Sequence, residues 1–208
     1  MYVIKRTPSR EFFLANRDKY WQGTVTCNPW EADYPCTDLP FMKFWMAHDD
    51  DNLYICMHCT EKEIRAEVKE HGGPVNEDSC MELYFIPVDG LGYYNLEITP
   101  LGYFKFNWRI RRTQGHKANQ PPELFMVEPI VNREEGWWQI NATVPYECIR
   151  SMVPEFTGTP GTTIRSMFCK CGDLTPQPHF LTSYPIDLKK FPKPDFHAPE
   201  FFGKMLIE

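Results

Sequence analysis

Glu82 and Glu97 sit in two strand-like alternating runs, Ser79 to Ile86 and Tyr93 to Thr99, joined by the short turn Val88-Asp89-Gly90-Leu91. A hairpin that pairs Glu82 with Glu97 sets two carboxyls directly opposite each other, where like charges repel. Such a pair calls for a cation, a shared proton or hydroxyl donors from a ligand. Two carboxyls about 5 Å apart also suit a retaining glycosidase. The plain alternative is a solvated, ion-paired face, since Arg109 and Arg111 lie in the next alternating run.

Eight cysteines offer a second chemistry. Cys56 and Cys59 form a CxxC around Met57 and His58, but they fall in a strand-like run. Residues three apart in a strand face opposite sides, so the two thiols cannot share an ion without a turn. Cys169 and Cys171 share a face and are within conceivable reach of Cys56 or Cys80. Buried strand cysteines explain this pattern better than structural zinc, and no metal ligands are assigned. The acidic turn Asp49 to Asp51 offers oxygen ligands, which makes calcium the one candidate ion; no other cofactor is expected. His48, His116 and His179 have no evident partner. No P-loop, dinucleotide fingerprint, nucleophile elbow or HExxH motif is present.

The stretch from Lys193 to Gly203 is a loop loaded with aromatics. Loops seldom expose phenylalanine without a reason. Phe201 and Phe202 read as plugs for the end of the fold. Phe196, between Asp195 and His197, reads as a contact residue, because an aromatic face can stack on the C–H face of a pyranose while neighbouring polar groups bind its hydroxyls.

Composition bounds what can hold these residues. With 208 residues and 42% apolar content, the chain suits a single domain over 1–208 with a proper core. The net charge of −6 disfavours nucleic acid and a polybasic membrane anchor. No apolar run approaches the ~20 residues of a membrane span. The first ten residues lack an apolar signal core, so the expected location is the cytoplasm, with free thiols. Nineteen prolines and 15% aromatics point to many short strands cut by turns and disfavour a helical bundle.

Residues 1–40 read as irregular, with a turn or two of helix between Arg10 and Trp21 and a short strand at Val25 to Asn28. Phe41 to His48 and Leu53 to Thr60 read as a hairpin. Residues 61–70 read as weakly helical. Ser79 to Ile86, Tyr93 to Thr99 and Tyr103 to Arg111 form a meander, followed by a polar loop over 112–123. Further strands are expected at Leu124 to Val131, Trp137 to Val144, Thr162 to Cys171, His179 to Thr182 and Phe201 to Glu208, with a short helix from Pro145 to Met152. The fold class is all-β: an antiparallel β-sandwich, immunoglobulin-like or jelly-roll-like, with long Pro-rich loops and one or two short helices.

Four segments in order carry a family resemblance: Asp50-Asp51-Asn52-Leu53-Tyr54-Ile55, Glu77-Asp78-Ser79-Cys80-Met81-Glu82-Leu83-Tyr84-Phe85, Tyr93-Tyr94-Asn95-Leu96-Glu97-Ile98 and Pro199-Glu200-Phe201-Phe202-Gly203-Lys204-Met205-Leu206-Ile207. Across about residues 40–208 the chain resembles the family 9 carbohydrate-binding modules, relatives of the DOMON group, and their free-standing bacterial forms in particular. The resemblance implies a β-sandwich that binds a mono- or oligosaccharide, or a polysaccharide chain end, without catalysis and in the service of carbohydrate catabolism. It implies Glu82 as a sugar contact, Phe196 as a stacking ring, and Glu97 and Thr99 as further polar contacts. Val75 stands near the position of the family's second ring, for which Trp108 or Trp30 is the substitute. The candidate contact set is therefore Glu82, Asn95, Glu97, Thr99, Trp108, Asp195, Phe196 and His197. Two other classes remain open: a glycoside hydrolase using Glu82 and Glu97, and a haem- or metal-binding DOMON-type domain with ligands such as Met57 or His58.

Overall fold

The computed structural model describes residues 1–117 and 125–208. Of the expected loop over 112–123, the described part carries the strand Gln114–Lys117, while residues 118–123, with Pro121 and Pro122, and the expected strand start at Leu124 lie outside the described residues. In chain order the elements are β1 (Tyr2–Arg6), α1 (Arg10–Ala15), β2 (Gln22–Val25), β3 (Phe41–His48), β4 (Asn52–Thr60), β5 (Cys80–Ile86), β6 (Tyr93–Ile98), β7 (Phe104–Arg111), β8 (Gln114–Lys117), β9 (Met126–Asn132), β10 (Trp137–Pro145), α2 (Tyr146–Arg150), β11 (Thr163–Gly172), β12 (His179–Thr182) and β13 (Gly203–Ile207).

The strands run in the order β8-β7-β6-β5-β11-β13-β1-β3-β4-β10-β9, with β12 on β11 and β2 on β3. β1 is the seam. Tyr2 to Ile4 pair in parallel with Met205 to Ile207 of β13, and Lys5 and Arg6 pair in parallel with Ala47 and His48 of β3. This corrects two expectations. The sheet is mixed, not purely antiparallel, and residues 1–40 hold, besides the expected helical turn (α1) and a short strand (β2, earlier than Val25 to Asn28), the unexpected strand β1. β1 has only five residues, too few for its alternation to stand out.

On either side of the seam the sheet curls, so that its two flanks face each other as a β-sandwich. Met81, Leu83 and Phe85 of β5 point into one core with Met42, Phe44 and Met46 of β3 and Ile55 and Met57 of β4. Phe44 and Phe168 stack across the core at 3.7 Å between ring centres and 11° between planes. Aromatic pairs add about 0.5–1.5 kcal/mol beyond their area. Ser9 caps α1, its Oγ accepting from Phe12 N at 3.2 Å, and the helix buries Phe13 in a small cluster with Tyr54 and Cys56 of β4.

Residues 61–70 form no helix, against the sequence reading. Their backbone donors are taken from outside the segment. Asp78 accepts from Glu67 N and Val68 N at 2.8 Å, and Ser79 Oγ accepts from Arg65 N at 3.0 Å. The Arg65 guanidinium pairs with the fully buried Asp78 carboxyl. The Asp78-Ser79 pair therefore pins this segment along the sheet, and side-chain bonds of this kind compete with helix formation.

One end of the core holds a buried ion pair. Lys170 Nζ donates to Glu61 Oε1 at 3.0 Å, to Cys171 O at 2.7 Å and to His179 Nε2 at 2.8 Å. Ser79 Oγ and Trp138 Nε1 complete the Glu61 carboxylate at 2.9 and 2.8 Å. Burial and the Lys170 charge hold the His179 imidazole neutral, its pKa lowered to about 3.

A second apolar layer covers the outer face of β5, β6 and β11. Trp30, Phe180, Phe196, Ala198 and Phe202 pack there on Cys80, Tyr84, Tyr93 and Cys169. The closing Pro-x-x-Phe-Gly stretch locks this layer down. Arg165 of β11 donates to Pro199 O at 2.6 Å, and a Cβ on Gly203 would come within 2.0 Å of the Tyr184 ring. Gly203→Ala is expected to cost about 1–3 kcal/mol by overpacking, read as a lower urea midpoint with an unchanged slope.

Candidate functional site

Between the second layer and the outer face of β5–β7 lies a cavity of about 230 Å³. Glu82 and Tyr84 of β5, Glu97 of β6, and Lys105 and Arg109 of β7 line it from the sheet. Cys171, Asp173 and Phe180 enter from β11, the following turn and β12. Asn76, Arg112, Pro194, Asp195, Phe196 and His197 complete the lining.

The alternation of β5 and β6 sets the geometry. Glu82 pairs directly with Glu97, and Glu97 pairs with Lys105 on β7, so three charged side chains lie in one row across three strands. Both glutamates are buried, at 2% and 6% exposure, because the second layer roofs a face that the alternation alone reads as solvated.

Their environments differ. Glu97 Oε1 accepts from Asn95 Nδ2 at 2.7 Å, and its Oε2 lies 3.6 Å from Lys105 Nζ. Desolvation raises the Glu97 pKa, while Lys105 and Arg109 oppose the rise. Among the described residues no cation pairs with Glu82. Burial first, and then the Glu97 charge, push its pKa up to about 8. Cys171 Sγ donates to Glu82 Oε1 at 2.9 Å, and Oε2 has no hydrogen-bond partner among the described residues.

The C-terminal excursion is tied across the mouth of the cavity. Asp195 accepts from Arg112 NH1 at 2.7 Å and from His197 N at 3.0 Å. His197 Nδ1 shares a 2.9 Å hydrogen bond with the Tyr93 hydroxyl. Phe196 is 7% exposed, its ring centre 6.0 Å from that of Trp30 and 6.3 Å from that of Tyr84.

Burial, Arg109, Arg112 and Lys105 lower the His197 pKa to about 3. A histidine with a depressed folded pKa contributes stability that is fully present above the unfolded value near 6.5. That contribution is lost progressively as pH falls from about 6.5 toward about 3. His197→Gln is expected to flatten the acid limb of a stability–pH curve by up to one proton's slope, about 1.4 kcal/mol per pH unit. Urea titrations at pH 7, 6 and 5 check this.

Of the eight candidate contacts, Glu82, Glu97, Asp195, Phe196 and His197 line the cavity, and Asn95, Thr99 and Trp108 do not. Asn95 lies behind the lining and orients it, donating to Glu97 and accepting from Arg109 Nε at 2.9 Å. Thr99 is fully buried outside the lining, its hydroxyl unpartnered among the described residues. The Trp108 expectation is corrected. Its ring packs on the main core with Phe104, on the opposite face of β7 from Lys105, and its Nε1 donates to Leu91 O at 3.1 Å. Trp30 is buried behind Phe196. At the position of the missing second ring, Val75 is fully buried and its turn contributes Asn76 to the lining.

Lys105, Arg109, Arg112, Asp173 and Phe180 were not singled out as contacts by sequence reasoning. The face that carries Glu97 predicts Lys105 and Arg109 by alternation. Arg112 was hidden, because a register irregularity between Arg109 and Arg111 breaks the alternation there. The acidic turn has partners of its own. Arg6 pairs with Asp50 at 2.5 Å, while Tyr54 and the Asn52 and Asp51 amides donate to Asp49. Met57 is enclosed in the core, and His58 stacks on Trp137 on the other face of β4.

The model of carbohydrate-binding family 9 matches residues 12–207, nearly the whole chain. The chain belongs to carbohydrate-binding family 9. A protein of Bacteroides uniformis ATCC 8492, provisionally described as carbohydrate-binding, is 24% identical, with a TM-score of 0.84 over 100% of this chain and 98% of its own. A family 9 carbohydrate-binding module of Caldicellulosiruptor kristjanssonii in complex with cellotriose is 9% identical, with a TM-score of 0.66 over 100% and 93% of the two chains. Its complex with glucose gives 10% identity and a TM-score of 0.64 over 100% and 95%. At these identities the solved structures speak for the shared β-sandwich fold. Among curated proteins no relative matches. Glu82 and Phe196 meet in the cavity above β5–β7.

Proposed function

We propose that this family 9 domain binds carbohydrate without turning it over, holding one sugar ring, free or at a chain end, in the cavity over β5–β7. The observation that carries the reading is the convergence of Glu82, Glu97 and Phe196 on one hollow. At about 230 Å³ the hollow is smaller than the about 300–1,000 Å³ of drug-sized pockets, which favours a single ring over a chain segment. Glu97 accepts one hydrogen bond, from Asn95, and has Lys105 as an ion-pair neighbour, whereas a carboxylate offers about four lone-pair sites, so it retains capacity for sugar hydroxyls. Phe196 and Phe180 supply apolar surface, and Lys105 and Arg109 supply donors.

With one aromatic wall and a few hydrogen bonds, affinity is expected in the micromolar range or weaker. Isothermal titration against monosaccharides and short oligosaccharides tests the reading. A folded sample that gives no heat with any sugar rejects it. The direct opposition of Glu82 and Glu97 favours a second reading, glycoside hydrolysis. Turnover of chromogenic glycosides that disappears in Glu82→Gln would replace binding with catalysis.

A further inference from the structure

Beneath the cavity, three soft and hard donors meet. Cys80 on β5 pairs in register with Cys171 on β11, and Glu82 stands two residues along β5 on the same face. Their ligand atoms all lie within 4.8 Å of one another, and all three residues are buried. We propose that Cys80, Cys171 and Glu82 form a binding site for a thiophilic divalent cation, zinc above all, in the floor of the cavity. The inference goes beyond carbohydrate binding and does not depend on it.

The spacing fits. A tetrahedral zinc ion has Zn–S bonds of about 2.3 Å and Zn–O bonds of about 2.0 Å, which put neighbouring ligand atoms about 3.5–3.8 Å apart. Ligand atoms within 4.8 Å of one another reach that spacing by side-chain adjustment, the Cys171 Sγ to Glu82 Oε1 contact opening from 2.9 Å. Two sulfurs and one oxygen select zinc over magnesium or calcium, which take oxygen ligands. Glu82 Oε2 supports the assignment independently, since it is buried with no close hydrogen bond among the described residues, the Tyr84 hydroxyl interacting with the carboxyl only at longer range. A buried polar atom left unmatched costs about 1–3 kcal/mol, and a cation relieves that cost. The surrounding carboxyls of Glu97 and Asp173 disfavour thiolates on their own and favour a dication among them.

Binding displaces a proton from each thiol and leaves three protein ligands on the ion. Glu82 and Cys171 line the cavity, so the fourth position opens into it, toward water or a ligand oxygen. Sequence reasoning put Cys171 within conceivable reach of Cys80 but read both as buried strand cysteines; the register of β5 with β11 is what brings them together beside Glu82.

The test is a titration of the reduced, full-length protein with zinc alone, in competition with a chromophoric chelator, repeated with cobalt. The expected result is one ion per chain and, with cobalt, a thiolate-to-metal charge-transfer band with strong tetrahedral d–d absorption. Cys80→Ser and Cys171→Ser should each weaken zinc binding by about 100-fold or more, exceeding the loss typical of outer-shell partners. Glu82→Gln should weaken it while preserving side-chain volume. Cys36→Ser, at a half-buried thiol outside the triad, should leave it unchanged, and circular dichroism verifies folding of each variant. Absence of tight 1:1 binding overturns the proposal. So does equal affinity in the triad variants and wild type, or a Cys80–Cys171 disulfide that persists under reducing conditions.

Discussion

Lys170→Met is expected to destabilise the protein by about 3–5 kcal/mol, the cost of removing one partner from a buried ion pair. Lys170 is wholly buried, and its ammonium satisfies three acceptors: Glu61, the Cys171 carbonyl and His179. Methionine fills the space but leaves the Glu61 carboxylate, 4% exposed, with no counter-charge in contact among the described residues. It also leaves His179 Nε2 without its donor. Domains are typically stable by only about 5–15 kcal/mol, so the single change removes a large share of the total. The double variant Lys170→Met/Glu61→Gln should recover much of the loss, because the stranded charge is gone. Urea unfolding of the two variants separates the cases. A single-variant loss below about 1 kcal/mol would mean that the pair adds little and that Trp138 and Ser79 alone satisfy Glu61.

Glu97→Gln is expected to weaken sugar binding by about 10- to 150-fold, equivalent to about 1.5–3 kcal/mol for a hydrogen bond to a charged group. The substitution keeps the volume and one carbonyl oxygen but loses the charge that Lys105 and Arg109 compensate. Phe196→Leu offers a complementary reading. It retains apolar bulk beside Trp30 and Tyr84, which limits the packing loss, and it removes the flat ring. Isothermal titration with the best sugar, alongside thermal melts, distinguishes lost contact from lost fold. Wild-type affinity in both variants would locate the ligand elsewhere.

The hairpins were legible because their alternation is strong. Residue patterns and a short turn put Glu82 and Glu97 on neighbouring strands and left their register conditional; β5 and β6 take the register that sets them opposite, and Phe196 lines the same cavity. What could not be read locally was long-range pairing. β1 gives no periodic signal in five residues, and its role depends on β13 at the far end of the chain. Residues 61–70 carry helical spacing at Ile64 and Val68, yet Asp78 and Ser79 claim their amides from another segment. Trp108 was misplaced for a simpler reason. A strand presents alternate residues to opposite sides, and a free choice among aromatic residues ignored which side Lys105 and Arg109 occupy. Burial of the acidic row was also invisible, since nothing in β5 or β6 announces that a distant loop will roof them.

The parallel seam has a consequence for how the molecule is made. Tyr2 to Ile4 pair with Met205 to Ile207, so a chain growing on the ribosome carries β1 half-mated until β13 emerges. Joining such distant segments has the highest loop-closure cost in the molecule. The meander β5–β7 and the β3–β4 hairpin can zip up early from local contacts. Final latching of the two flanks then waits for β13, which follows directly on the Pro199–Phe202 stretch that Arg165 ties to β11.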